Sequence, residues 1–384
     1  MTERADALVV GGGPAGSSCA WRLRRAGLDV VVLDKARFPR DKACAGWITP
    51  PVLDVLKIDA AEYGDGRTLQ PITGFRTSRL GPDGAGPEVE TRFPEPVSYG
   101  IRRCEFDRYL LERSGARLDV GEALTRLERR GGQWLANDRL QAPVVIGAGG
   151  HFCPVARFLN GPPRGEPVVA AQEIEPRLNG AACAIGGDTP ELFFCPDLRG
   201  YGWGFRKGDY LNVGFGRQDS RRLPAHARQF VDWLRAAGRI PRDIATRWPG
   251  HAYLLRGSSP RTPVGNGILL VGDAAGLAYP QSGEGIRPAV ESGLMAAETL
   301  LALEGRYDRE RLEPYAAWLA TRFGRAVRSR PLHDRLPAGV LGAAAGWLLA
   351  SPWFTRNFLI ERAFLQTQQP PLAAPPSAPR AAPA

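Results

Sequence analysis

The chain has 384 residues, 43% of them hydrophobic, and a formal net charge of +10 that is almost all arginine, since only Lys35, Lys42, Lys57 and Lys207 are lysines. That length suffices for two domains and a large core; the basic balance suits an anionic membrane surface or an acidic cofactor, and no nucleic-acid-binding module is visible. The six cysteines stand apart without a CxxC pair, which argues against a zinc site or disulfide framework and for a reducing compartment, and residues 338–349, the longest apolar stretch near the end, are too short to span a bilayer.

Ala7–Val10 reads as a buried parallel strand, and it begins too early to leave room for a signal peptide. Gly11, Gly13 and Gly16 then fit G-x-G-x-x-G around Pro14 and Ala15, residues 17–26 have helical spacing, and Gly27 suits the helix end. Val30–Leu33 is a second strand, closed by Asp34. In this unit Gly11 permits the tight turn, Gly13 lets backbone approach a pyrophosphate, and Gly16 lets helix and strand pack closely. The helix N-terminus offers free N–H groups to phosphate, and the Asp34 carboxylate can accept both hydroxyls of an adenosine ribose.

Further along, the alternating segments 74–79, 191–195 and 210–215 read as antiparallel strands. The glycines between 200 and 216 suggest bulges or close ligand approach. Tyr201, Trp203 and Phe205 alternate, so a strand there turns all three to one side. That side is either an apolar wall for a ligand or a face packed on the core. Residues 267–271 form another buried strand with Gly272 and Asp273 at its end. Gly283 and Gly285 bracket Glu284, read as a helix-start acid, and Ile286 to Leu300 read as a helix interrupted early by Pro288. Two glycine blocks at opposite ends of one chain describe a single large cofactor held by one sheet. FAD fits best, with the turn at Gly285 and Ile286 facing the flavin edge that gains charge on reduction.

Residues 311–366 look helical. Arg322, Arg325 and Arg328 recur every three residues, with Arg330 and Arg335 beyond, and an aromatic-rich stretch follows with Trp347, Trp353, Phe354 and Phe358. Such a pair either rests on a lipid interface or packs on the body as a solvated arginine face. His151, His226, His251 and His333 lack ligand-like spacing, so no metal site or triad is assigned.

These motifs resemble the para-hydroxybenzoate-hydroxylase-fold flavoproteins and, within them, the geranylgeranyl reductase family. The GxGxxG–Asp34 unit, residues 39–46 with Cys44, the Arg103-Cys-Glu-Phe-Asp107 helix start, and Gly272-Asp273 through Gly285-Ile286 carry the resemblance. Tyr201-Gly-Trp-Gly-Phe-Arg-Lys207 is similar to a Y-x-W-x-F-P-x substrate motif, with Arg206 in place of the proline. The resemblance implies an α/β fold: a Rossmann-like FAD-binding domain of para-hydroxybenzoate-hydroxylase/glutathione-reductase type with an inserted antiparallel β-sheet substrate domain and a C-terminal helical segment. The expected division gives 1–70, 98–160 and 258–330 to the FAD domain, 71–97 and 161–257 to the substrate domain, 331–366 to C-terminal helices and 367–384 to a disordered Pro/Ala-rich tail.

The resemblance also implies FAD contacts at Gly11, Gly13, Pro14, Ala15, Gly16, Asp34, Lys35, Lys42, Cys44, Ala45, Arg103, Gly149, Gly272, Asp273, Gly283, Gly285 and Ile286, and substrate contacts at Tyr201, Trp203 and Phe205. It puts Cys44 beside the flavin as a proton donor, tuned by Lys42, or as a residue that only packs or positions substrate. The family's Gly-Ala-Asp-Gly segment is Gly147-Ala-Gly-Gly150 here, without the aspartate. The expected activity is reduction of carbon–carbon double bonds in a prenyl lipid or isoprenoid quinone side chain, with NAD(P)H or ferredoxin as electron donor. The fold serves other chemistries, so a flavin monooxygenase of an aromatic or polyketide-like substrate and a non-catalytic flavin- or prenyl-binding protein stand as alternatives. The W-x-W-x-I-P motif of flavin halogenases is absent. A monomeric cytoplasmic protein is expected, with a hydrophobic small-molecule substrate, contact with the inner face of the membrane through the C-terminal helices, no nucleic acid and no metal.

Overall fold

The structure is a computed structural model that describes residues 2–81, 84–162, 168–218, 222–244, 248–256, 261–324 and 346–373. Strand β1 (Ala7–Val10) turns through the glycine loop into helix α1 (Pro14–Arg25), and β2 (Val30–Asp34) returns beside β1. The chain then leaves for a second sheet, where it contributes β3 (Gly74–Gly81), and returns with α2 (Arg103–Arg113), β4 (Arg117–Val120) and β5 (Val145–Gly147). A longer excursion adds β6 (Val168–Ile174), β7 (Glu191–Phe194), β8 (Gly200–Lys207), β9 (Tyr210–Arg217), α3 (Leu223–Ala236) and β10 (Gly250–Leu254). The first sheet is completed by β11 (Val264–Gly265) and β12 (Ile268–Leu270), followed by α4 (Ile286–Ala302) and α5 (Arg309–Phe323).

The first sheet has six strands in the order β4-β2-β1-β5-β12-β11, parallel except for the β11 edge. Its apolar runs are buried on both faces, as a parallel sheet under helices requires: Leu8, Val9, Val31, Ile146 and Leu269 are all within 2% of complete burial. Each such side chain contributes about 1.5–3 kcal/mol by leaving water. Helices α1 and α4 cross at bare backbone, because a Cβ on Gly293 would lie 2.2 Å from the Ala15 carbonyl oxygen.

The second sheet runs β10-β6-β9-β8-β7-β3. The other four pairings in this order are antiparallel, as expected, but β7 joins β3 in parallel, with Leu192 opposite Thr77. Period-two alternation reports which face a residue takes and carries no information on the direction of its neighbour. The glycines of 200–216 make no bulge: β8 and β9 pair without a break from Gly200↔Arg217 to Lys207↔Tyr210. They give room to large side chains instead, since a Cβ on Gly202 would strike the Phe230 ring at 2.6 Å and one on Gly214 the Trp203 ring at 2.0 Å.

Other expectations also need correction. Helix α4 runs through Pro288 without interruption, because proline is in its first turn, where the missing N–H has no intrahelical acceptor to lose. Arg322 belongs to no solvated face: it donates to both oxygens of buried Glu291, at 2.8 and 2.6 Å, and Glu291 also accepts from Arg287. Arg325, Arg328, Arg330 and Arg335 lie outside the described residues. Of the expected tail only residues 367–373 are described, where Gln369 accepts from Tyr279 and the Pro370 carbonyl accepts from Arg322. A short helix (Pro352–Phe354) leads into a π-helical stretch (Thr355–Phe364) that packs on the second sheet through Ile360 and Phe364. Among the described residues no helix is long and apolar enough to cross a membrane, and no group of His, Cys, Asp or Glu is placed to hold a metal ion.

Candidate active site

A cavity of about 850 Å³ opens between the two sheets, at the C-terminal ends of β1, β2, β5 and β12. The position is the one an open parallel sheet offers to a ligand. On the first-sheet side it is walled by backbone. Gly11 has φ +117°, and a Cβ there would lie 2.4 Å from the Ala148 carbonyl oxygen; one on Gly16 would lie 1.9 Å from the Gly11 oxygen. Only glycine fits either place. Gly13 caps α1 with no side-chain partner, which leaves the first N–H groups of the helix free toward the cavity. Asp34 accepts the Gly12 and Ala36 amides at 2.7 and 2.8 Å, so its carboxylate is fixed at the end of β2 with lone pairs to spare.

On the opposite rim, Gly272 takes φ +57° and donates its amide to Ser292 Oγ at 2.9 Å, which turns Asp273 into the cavity. The start of α4 follows. Glu284 accepts the Arg287 amide there at 2.7 Å, confirming its reading as a helix-start acid, and burial lifts its pKa to about 7. Two helix N-termini and two end-of-strand carboxylates therefore face one elongated cavity. This donor set fits FAD: amides for pyrophosphate at α1, acids for hydroxyls at Asp34 and Asp273, and amides for an anionic ring edge at α4.

The second sheet forms the other wall, and its register places the side chains in rows. Phe194, Tyr201, Gly216, Ala171 and His251 stand side by side across five strands, and Leu192, Trp203, Gly214 and Glu173 form the next row. Tyr201, Trp203 and Phe205 do share one face, and that face lines the cavity. Tyr201 Oη donates to the Ser282 carbonyl at 2.6 Å, tying this wall to the α4 loop, and Trp203 Nε1 donates to Asn212 at 2.7 Å. Phe364 packs against Tyr201 and Trp47, with ring centroids 5.6 and 5.4 Å away, and continues the aromatic surface.

Between the walls lies the loop that carries Lys42 and Cys44. Lys42 Nζ is 2.6 Å from His251 Nδ1, and His251 Nε2 is 3.3 Å from Asp273. A neutral imidazole protonated on Nε2 satisfies both contacts. Burial and then Arg103 depress the Lys42 pKa to about 8, and burial lowers that of His251. The hydrogen bond of Lys42 thus goes to His251 and not to Cys44. Arg103 is buried and clamps Asp107 through two contacts of 2.8 Å. The Cys44 sulfur accepts the Gly46 amide at 3.4 Å, while the Cys44 amide donates to Glu173 at 2.5 Å.

Of the residues singled out in the sequence, Gly11, Gly13, Pro14, Ala15, Asp34, Lys35, Lys42, Cys44, Ala45, Arg103, Gly149, Asp273, Gly283, Gly285 and Ile286 line this cavity, and Gly16 and Gly272 lie directly behind it. Gly149 has little room for a larger side chain, since its Cβ would come within 3.2 Å of Cys153 Cα. Sequence reasoning missed His251, Glu173, Tyr253 and Phe364, which also line the cavity.

The fold and this cavity define a flavoprotein oxidoreductase, and residues 6–79 match the family described as FAD dependent oxidoreductase. The chain is 32% identical over 356 residues to a menaquinone reductase of Mycobacterium tuberculosis, covering 85% of this chain and 82% of that one. It is 31% identical to a geranylgeranyl diphosphate reductase of Rhodobacter capsulatus, over 77% of this chain and 75% of the relative. Its fold matches a geranylgeranyl bacteriochlorophyll reductase-like protein from Thermoplasma acidophilum with a TM-score of 0.74 at 20% identity, covering 96% of this chain and all of that one. The chain belongs to the geranylgeranyl reductase family of FAD-dependent oxidoreductases.

Proposed function

We propose that this protein reduces carbon–carbon double bonds in a prenyl lipid or in the side chain of an isoprenoid quinone. The observation that carries the reading is the aromatic surface of Phe194, Tyr201, Trp203 and Phe364, joined by Phe205, which lines the same cavity as Cys44. An apolar trough of this kind suits a flexible hydrocarbon chain. The names of the relatives, a menaquinone reductase and a geranylgeranyl diphosphate reductase, point the same way.

Bound FAD, once reduced, supplies the hydride. Gly11, Gly13, Asp34, Arg103, Asp273 and the α4 N-terminus would hold it, and the second sheet would shield the reacting carbons from water. An isolated alkene is a poor hydride acceptor, so a proton must reach its other carbon, with Cys44 or water as the donor suggested by sequence. NAD(P)H or ferredoxin would be the electron donor. The protein acts as a cytoplasmic monomer that touches the inner face of the membrane through its C-terminal segment, where its lipid substrate is dissolved.

The test is anaerobic. Purified protein is reduced, and geranylgeranyl lipid or menaquinone is added without oxygen. Flavin reoxidation with a gain of two hydrogens in the lipid is the expected outcome. A flavin that stays reduced with every prenyl lipid and reoxidises only when oxygen enters would sink the reductase reading in favour of a monooxygenase.

A further inference from the structure

Two glutamates project from β6 and its end, and their surroundings differ. Glu175 takes the cations: it pairs with Lys207, lies 3.6 Å from Arg102 Nε and accepts from Asn212 at 3.3 Å. Lys207 is fully buried, and its remaining hydrogen bonds go to the Ala45 and Ile101 carbonyls at 2.9 and 3.0 Å. Glu173, 6% exposed, forms no ion pair among the described residues. One of its oxygens accepts the Cys44 amide at 2.5 Å, and the side chain borders the cavity beside Trp203 and Gly214. A buried carboxyl without a cation in contact keeps its proton.

Resting on the reductase reading above, we infer that the Glu173 carboxyl, and not the Cys44 thiol, protonates the double bond of the substrate. Hydride from the reduced cofactor forms a C–H bond at one alkene carbon. The π electrons of the alkene take the Glu173 proton to form the second C–H bond, and the O–H electrons stay behind on the carboxylate. Water entering the cavity reprotonates it before the next turnover. The Cys44 amide, Asn212 and nearby Lys207 stabilise the transient carboxylate.

The chemistry favours the carboxyl. A general acid works best when its pKa lies near the working pH. Burial lifts the Glu173 pKa to about 7, with the Cys44 amide and Lys207 opposing and Glu175 assisting. The charged and polar groups that act most strongly on Glu173 are Cys44 from the loop, Lys207 from β8, Asn212 from β9 and Glu175 from its own strand.

The experiment compares the wild-type holoprotein with Glu173→Gln and Cys44→Ser. Glutamine preserves the acceptor for the Cys44 amide, and an unchanged flavin spectrum confirms the fold. Difference infrared spectra of the substrate-free holoprotein should show, beside the Glu284 carboxyl, a second protonated carboxyl that titrates at about pH 7 and is missing in Glu173→Gln. In anaerobic single turnovers with geranylgeranyl lipid, the wild-type rate should fall about tenfold per unit above that pH, and Glu173→Gln should be roughly 100-fold slower with no such dependence. Cys44→Ser should retain the wild-type pH profile whatever its absolute rate. An E173Q protein that keeps the wild-type rate, an infrared spectrum in which E173Q removes no carboxyl band, or a pH profile abolished by Cys44→Ser would each overturn the assignment to Glu173 and leave the reductase reading standing. A wild-type flavin that never reduces the lipid removes both.

Discussion

Glu284 accepts an amide at the positive end of α4, yet burial lifts its pKa to about 7. Relative to an unfolded glutamate near 4.5, the folded state binds the proton more tightly. The stabilisation is therefore complete below pH 4.5 and is lost as pH rises through 7. Over that window the loss has a ceiling of about 3 kcal/mol, reduced by water in the adjoining cavity. Glu284→Gln keeps the acceptor and removes the titration. Urea unfolding of the two apoproteins at pH 5 and pH 8 should show the wild type losing stability relative to the variant; equal changes would mean that Glu284 stays ionised. Its helix-start role is readable from the chain because its partner is three residues away. Glu173 and His251 were not readable, because their contacts to Cys44 and Lys42 cross 129 and 209 residues. A strand's alternation says which face a residue takes and nothing about which loop arrives opposite.

At the scale of elements, the β1–α1–β2 unit follows from sequence almost residue for residue, because each glycine answers a local demand. Gly16 is needed where α1 meets the β1 turn, and Gly11 where the chain reverses with positive φ. The Tyr201–Phe205 face is legible for a similar reason, since alternation on a strand is geometric. The parallel β3–β7 pair and the passage of α4 through Pro288 depend on partners and position within the element, which local pattern does not encode. Gly293 marks a contact of this tertiary kind. A Cβ there meets the Ala15 carbonyl at 2.2 Å and the Cys19 amide at 3.2 Å, both backbone, so α1 must shift away from α4. Gly293→Ala should cost about 1–3 kcal/mol by overpacking, outweighing the gain in helix propensity. Because α1 also presents its N-terminus to the cofactor, FAD affinity should fall along with stability. Thermal unfolding with and without added FAD checks both, and an unchanged midpoint would show that the helices separate freely.

At the scale of the whole molecule, the chain ends by folding back over its second sheet. Phe364 is buried and lines the cavity, while Trp347, Trp353 and Phe358 from the same stretch are 75%, 66% and 40% exposed. One segment thus has an inner side against the proposed substrate channel and an outer side of unburied aromatics. Arg356 and Arg362 stand among them, Arg362 over the Phe358 ring and Arg356 over Phe93. Aromatics with arginines beside them suit an anionic bilayer surface, where rings enter the headgroup region and guanidinium groups meet lipid phosphates. A prenyl chain could then enter the protein without crossing water. The holoprotein should float with vesicles containing anionic lipid at low ionic strength and be released by salt, each basic group contributing about 1 kcal/mol near the surface. Trp347→Ala/Trp353→Ala/Phe358→Ala should stay at the bottom of the gradient with its flavin spectrum intact. It should also turn over detergent-dispersed lipid at the wild-type rate while losing activity on lipid held in vesicles. A wild-type protein that never floats, or a triple variant that floats equally well, would mean that these rings face something other than a bilayer, and that the substrate reaches the channel in solution.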